Sequence, residues 1–405
     1  MKVLLNEFIT DVSGFVASGI SAGLKKSGKK DLGVLYSTTP AVCAATMTTN
    51  KSKAAPIYLC MENMESDYIQ AIVVNSGNAN ACTGQEGMDN AYIMAAETAA
   101  SLNISKESVL VASTGVIGVQ LDMDKIIPGI RKACHELSDS GGKNMAQAIL
   151  TTDTSIKTIT VETSIGGRKV KISGIAKGSG MIHPNMATML SFIVTNANIS
   201  KAHLNELFKE SVKDSYNMIS VDGDTSTNDM AVILANGTAG NPPVEERKEY
   251  TRAFREALDY VNKELAKMIA KDGEGATKFI EVSVNNAYTK EDGRIIARSV
   301  VSSNLVKAAM FGSDANWGRI LCAVGYANAE CDISKVDISF TNGIGTEQVV
   351  KNGIPLDFSE ENAKKILCES NIRIVIDLKN GDYNATAWGC DLTYDYVRIN
   401  GEYRS

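Results

Sequence analysis

Histidine is scarce in this chain of 405 residues, with only three, and the eight cysteines are dispersed without a C-x-x-C pair. That leaves no spacing suited to a zinc site, and no metal or tightly held cofactor is expected. Positive charge is not in excess either: 41 Lys and Arg stand against 47 Asp and Glu, a net charge of -6. Such a surface offers no general attraction to phosphate backbones or anionic lipid, so nucleic-acid and membrane partners are disfavoured. No apolar run approaches the roughly 18 residues of a membrane span. The opening MKVLLNEFITD breaks its short apolar stretch with Asn6, Glu7 and Asp11, unlike a secretory signal. A cytoplasmic protein with reduced thiols is the expectation.

What is present is globular text, without repeats or low-complexity tracts and long enough for two or three folding units. KTITVETSIGGRKVKISGI (157–175) places two alternating runs around Gly166-Gly167, and NIRIVIDLKNGDYNATAWGCDLT (371–393) does the same around Asn380-Gly381. Both predict hairpins. Helices are predicted over the alanine-rich 87–102 and over 245–273, where Tyr250, Phe254, Leu258, Val261, Leu265 and Met268 recur at spacings of three and four. The second should stop at Asp272-Gly273, with the glycine as a left-handed cap. Hairpins mixed with long helices argue for a mixed α/β (α+β) sandwich over a doubly wound parallel sheet. ANGTAGNPPVEER (235–247) is the best candidate boundary, or a long surface loop.

Two motifs fail inspection. GLKKSGKK (23–30) nearly spells a phosphate-binding loop, but Lys30 stands where the hydroxyl residue should be, and a strand follows instead of a helix. VDGDTSTND (221–229) lacks the glycine and the distant glutamate of a calcium loop, so Asp and Ser turns explain it more simply. His135 and His203 lie in helix-like text and read as surface residues. Only His183 has a suggestive neighbourhood.

That neighbourhood is KGSGMIHPNMATML (177–190). A threonine hydroxyl needs an adjacent base to act as a nucleophile, and its own α-amine serves once it becomes a chain N-terminus. An α-amine pKa near 7.7 to 8.0 suits proton transfer at neutral pH, so the scarcity of histidine ceases to matter. Thr188 could create that amine by attacking the carbonyl of the small Ala187 and shifting the acyl group from nitrogen to oxygen. Gly178, Gly180 and Pro184 can shape the loop before it. Read locally, Thr188 at the start of a buried strand, TMLSFIVT, is the simpler reading.

The same segment resembles the self-cleavage site of the glutamate N-acetyltransferases, or ornithine acetyltransferases, of arginine biosynthesis. The likeness continues, in order, through SAGLKKSGKKDL (21–32), VVNSGNANACTG (73–84), ASTGVIG (112–118), ILTTDT (149–154), VDGDTSTND, KDGEGATKFIEV (271–282), LVKAAMFGSDANWGRI (305–320) and YVRINGEYRS (396–405). It implies a layered sandwich of central β-sheets flanked by helices, with the chemistry of N-terminal-nucleophile hydrolases on a distinct connectivity. It further implies autoproteolysis between Ala187 and Thr188 into an α chain (1–187) and a β chain (188–405), paired as an α2β2 assembly. Thr188 then resembles the nucleophile that carries acetyl from N2-acetylornithine to glutamate by double displacement. Thr114 and Gly115 match the pair that stabilises the oxyanion, and Thr154, Lys177, Thr188, Glu274, Asn400 and Ser405 match the substrate contacts. A lysine suits the α-carboxylate shared by both amino acids, and Glu274 suits an amine.

Three departures from the family pattern stand out. His183 replaces a small residue and could line the site, tune cleavage or pack. Ser405 replaces a frequent threonine, and GVQL (118–121) lacks an acidic residue. The resemblance leaves acetyl-CoA open as a second donor. A self-processing amidase or aminopeptidase, or a non-enzymatic amino-acid-binding protein, are the alternatives.

Overall fold

Gly166 and Gly167 both take positive φ, 56° and 77°, as a two-residue hairpin turn requires, and the strands they join pair with Ile165 opposite Arg168. This hairpin belongs to one of two sheets in the computed structural model, which describes residues 1–183 and 189–402. Among those residues the first sheet is built from β1 (Lys2–Leu4), β2 (Phe15–Ile20), β3 (Leu32–Met47), β4 (Ile69–Asn78), β5 (Val109–Val116), β6 (Lys157–Ile165), β7 (Arg168–Lys177), β8 (Leu190–Thr195) and, later in the chain, β10 (Met230–Ala235). Its order is β1-β6-β7-β8-β10-β3-β4-β5, with β2 also on β3. The long β3 serves two neighbourhoods: Leu32–Tyr36 pair with β4, Val42–Met47 pair with β10, and an irregularity between Tyr36 and Ala41, where Pro40 sits, turns the strand from one to the other.

The second sheet holds β9 (Ile219–Ser220), β11 (Phe279–Ala287), β12 (Asp337–Thr341), β13 (Thr346–Lys351), β14 (Ile354–Pro355), β15 (Asn371–Asp377) and β16 (Tyr383–Cys390) in the order β14-β13-β12-β15-β11-β16-β9. Here the second predicted hairpin fails. β11 lies between β15 and β16, parallel to one and antiparallel to the other. The Asn380-Gly381 turn instead passes over the end of β11, with Asn380 N donating to Asn286 O at 2.8 Å. A Cβ on Gly381 would meet Ala287 O at 2.3 Å, so the glycine serves close approach to a third strand.

Helices α1 (Ala55–Asn63), α2 (Gly84–Leu102), α3 (Met123–His135) and α4 (Gly142–Ala148) pack around this part of the first sheet, α3 and α4 on opposite faces: Ser18 Oγ donates to Ala133 O of α3, whereas a Cβ on the adjoining Gly19 would meet Asn144 O of α4. α5 (Lys201–Lys213) and α6 (Lys248–Lys271) follow β8 and β10. α6 buries Phe254, Leu258, Val261, Leu265 and Ile269, and packs on β6 and β7 of the first sheet and on β16 of the second. Its stripe ends at Ile269, since Met268 is only partly buried. The loop at 235–247 is therefore no domain boundary: it joins β10 to a helix shared by both sheets. The helix ends where expected, but the left-handed glycine is Gly275 at φ 67°. Gly273 is needed for space, as a Cβ there would lie 2.7 Å from Cys390 Sγ. α7 (Lys290–Ser302), α8 (Asn304–Phe311), α9 (Trp317–Gly325), α10 (Glu360–Leu367) and α11 (Tyr394–Glu402) complete the mixed α/β sandwich of sheets flanked by helices.

Candidate active site

The strand ends decide where the site lies. β7 runs antiparallel to β8, which sets Lys177 opposite Leu190, and β10 runs parallel to β8, with Met230 beside Leu190. A cavity of about 220 Å³ opens where these ends meet the end of β5. Thr114, Gly115, Lys177, Gly180, Glu274 and Asn400 line it, together with Thr151, Thr152, Met189, Ser226, Asn228 and Asp229.

Thr114 is held from behind. Asn228 Nδ2 donates to Ser113 O at 2.9 Å and also to Ala79 O, fastening the last turn of β5 to the 226–229 loop. Gly115 has φ 135°, and a Cβ there would strike the backbone of Gly77 at 2.3 Å, so the tight β4–β5 pairing admits only glycine. Lys177 Nζ donates to Thr114 Oγ1 at 3.3 Å, which leaves the threonine O–H to donate elsewhere.

A buried charge network carries the segment after Lys177. Lys157, wholly buried, binds Asp153 at 2.6 Å and Asp272 at 2.5 Å. Asp153 also accepts from Gly178 N at 2.7 Å, and Ser179 Oγ donates to Asp272 O at 2.7 Å. Burial alone would raise Asp153, but Lys177 and Lys157 outweigh it and hold the carboxyl at about 2. Burial lowers Lys177 against the pull of Asp153 and Asp229. Asp229 goes the other way: burial pushes it well above the usual carboxylate range despite Ser226 and Lys177.

Glu274 follows α6 and is fixed by its N–H to Ser179 O at 3.0 Å. Its Oε2 accepts from Asn400 Nδ2 at 2.9 Å. Gly180 makes room for that carboxylate, since a Cβ there would lie 2.3 Å from Glu274 Oε2. Asn400 sits in α11, which seats against Gly275, where Thr393 Oγ1 donates to Gly275 O at 2.8 Å.

Thus Thr114, Gly115, Lys177, Glu274 and Asn400 converge on one cavity. Thr154 is not among its lining residues; its hydroxyl and N–H both donate to Asp272, and the side chain is exposed. Ala187, Thr188 and Ser405 lie outside the described residues. His183 lines a different cavity, of about 600 Å³, with Arg294 and Arg298. Arg298 donates to its Nε2 at 3.0 Å, so Nδ1 donates to Ser220 Oγ at 3.1 Å. Burial, then the Arg298 charge, lowers the imidazole to about 4. Sequence reading missed Ser226, Asn228 and Asp229, which it took for turn residues in VDGDTSTND. The first acid of that run does act as a turn group: Asp222 accepts from Met181 N at 2.6 Å and Ile182 N at 2.8 Å. GLKKSGKK likewise wraps a carboxylate, with Ala22, Leu24 and Lys25 N–H donating to Asp31. Among the described residues no cluster could hold a metal ion and no helix is long and apolar enough to cross a membrane.

A mixed α/β sandwich with a small cavity that sets buried cations and carboxylates beside a threonine hydroxyl defines an enzyme for a small polar substrate. Comparison with known proteins makes the class particular. The family model described as the ArgJ family matches residues 16–405. The chain is 59% identical over 405 residues to "Arginine biosynthesis bifunctional protein ArgJ 1" of Clostridium acetobutylicum, covering 100% of this chain and 99% of that one. It is 55% identical to its counterpart in Caldanaerobacter subterraneus subsp. tengcongensis, covering 97% of each. A crystal structure of the ArgJ protein of Bacillus halodurans is 44% identical, covers 46% of this chain and 97% of its own, and has a TM-score of 0.44. The chain belongs to the ArgJ family, the ornithine acetyltransferases whose resemblance its motifs carry.

Proposed function

We propose that this protein transfers acetyl from N2-acetylornithine to glutamate, giving ornithine and N-acetylglutamate, through an ester on Thr188. The observation that carries the reading is the convergence of Lys177, Thr114, Gly115, Glu274 and Asn400 on one cavity beside the start of β8. Both substrates are amino acids. Lys177 supplies a cation for the shared α-carboxylate, and Glu274, steadied by Asn400, supplies an anion for an amine. The Thr114 hydroxyl, with its oxygen already engaged by Lys177, can donate to the oxyanion of each tetrahedral intermediate, assisted by a backbone N–H at Gly115.

In this scheme Thr188 first cleaves the chain at Ala187-Thr188, leaving 1–187 and 188–405 associated, and two such pairs assemble as α2β2. The α-amine of Thr188 then takes the hydroxyl proton as the oxygen attacks the acetyl carbon. Thr154 and Ser405 complete the substrate contacts, Thr154 after turning from Asp272. Acetyl-CoA is proposed as a second donor, a reading supported by the word bifunctional in the relatives' names.

Intact mass spectrometry before and after incubation with N2-acetylornithine tests this. Two fragments dividing at Ala187-Thr188, with about 42 Da added to the second and removed by glutamate, are expected. A single unmodified chain in a folded sample sinks the nucleophile assignment, and acetate released without glutamate makes the protein an amidase.

A further inference from the structure

Asp229 ends the 221–229 loop and is only 4% exposed, yet it lines the cavity of Lys177, Thr114 and Glu274. Its backbone is fixed on both sides: Thr48 N donates to its carbonyl at 3.0 Å, and the next residue, Met230, donates to Met189 O at 2.9 Å. The carboxyl therefore sits at the start of β10, beside the start of β8. Its Oδ2 is buried and has no hydrogen-bond partner among the described residues. Folded proteins seldom leave a buried carboxyl oxygen unsatisfied, and this one belongs to a residue that lines the cavity where the substrate would sit.

The charged group that acts on it is Lys177 at the end of β7; Asp153 before β6, Lys157 on β6 and Glu274 after α6 act in turn on Lys177. Burial outweighs Lys177 and raises the carboxyl well above the usual carboxylate range, which favours the protonated form that a general acid needs.

We propose that Asp229 is the general acid and base for the transferred nitrogen. The inference rests on the acetyl transfer proposed above. As the nucleophile oxygen bonds to the acetyl carbon and the C–N bond of N2-acetylornithine breaks, the Asp229 proton passes to the departing nitrogen. The hydroxyl proton, taken first by the α-amine, then restores the carboxyl. In the second half-reaction the carboxyl first passes its proton back to the α-amine; the amine of glutamate attacks the ester and gives its proton to the Asp229 carboxylate so formed, while the α-amine hands its extra proton to the leaving Thr188 oxygen as the ester C–O bond breaks.

An amide donor needs that proton and an activated ester does not. We expect Asp229→Asn to slow acetylation by N2-acetylornithine at least ~100-fold while leaving acetylation by 4-nitrophenyl acetate within about threefold, and Asp229→Glu to recover roughly tenfold of the loss. Equal losses with both donors, or no loss with either, would overturn the assignment. Wild-type protein gives an arm that needs no variant: the ratio of amide to ester rates should fall as pH rises through the titration of Asp229, and a flat ratio overturns the assignment even where Asp229→Asn fails to fold. Wild-type protein that takes acetyl from the ester but never from N2-acetylornithine sinks the transfer reading itself, and this inference with it.

Discussion

The two cavities on either side of residues 181–183 are built in opposite ways. The smaller one is walled by ionisable groups removed from water: Lys177 is 8% exposed, Asp229 is 4% exposed, and Lys157 behind them is fully buried between two aspartates. The larger one is lined by Lys213, whose pair with Glu210 at 2.7 Å keeps both side chains well exposed, and by Arg294, more covered and held to Asp214 at 2.7 Å. A buried charge is expensive unless every partner is in place, whereas a surface pair contributes little either way. The difference marks where the fold has spent stability on geometry.

Removing the centre of the buried network should have the largest effect. Lys157→Met leaves Asp272 without its cation, and should lower stability by about 3–5 kcal/mol in chemical denaturation. An unchanged midpoint would show that the two cavities are energetically alike. Lys177→Met should reduce acetyl transfer roughly 100-fold, since the cation and the brace on Thr114 Oγ1 go together; transfer within a few-fold of wild type would remove Lys177 from the site. Gly180→Ala should raise KM roughly tenfold by displacing the Glu274 carboxylate, with kcat less affected. A normal KM would mean that Glu274 has another way to the substrate. In the larger cavity, Lys213→Ala should shift stability by no more than about 1 kcal/mol and leave transfer intact.

The smallest effect is a pH dependence. His183 titrates at about 4 in the folded chain against an ordinary 6.5, so the unfolded chain takes up its proton first. Its contribution is fully present above about pH 6.5 and is lost as pH falls towards 4. His183→Asn should flatten the stability profile across that window, and an identical profile would contradict the lowered value.

Local text was legible where a local rule suffices. Two alternating runs around Gly166-Gly167 made a hairpin, and the three-and-four spacing of Phe254, Leu258, Val261 and Leu265 made α6. The same rule misled at Asn380-Gly381, because pairing partners compete across the whole chain and β11 takes the place between β15 and β16. At the site the motifs pointed to Thr114, Lys177, Glu274 and Asn400, which do share a cavity, while Thr154 turns to Asp272. VDGDTSTND was the blind spot. Its acids look alike in sequence, yet Asp222 accepts backbone N–H groups and Asp229 has an oxygen with no partner among the described residues.

The sequence by itself determined the period of each helix and strand, the turns that glycine pairs permit, and, through the order of its motifs, the family. Those depend on neighbours within a few residues or on the wording of short segments. Only the tertiary structure decided which carboxyls are buried, which cations face them and therefore which hold a proton. Burial and Coulomb interactions are set by distances of a few ångströms between residues far apart in the chain, as with Lys157 and Asp272 or Glu274 and Asn400.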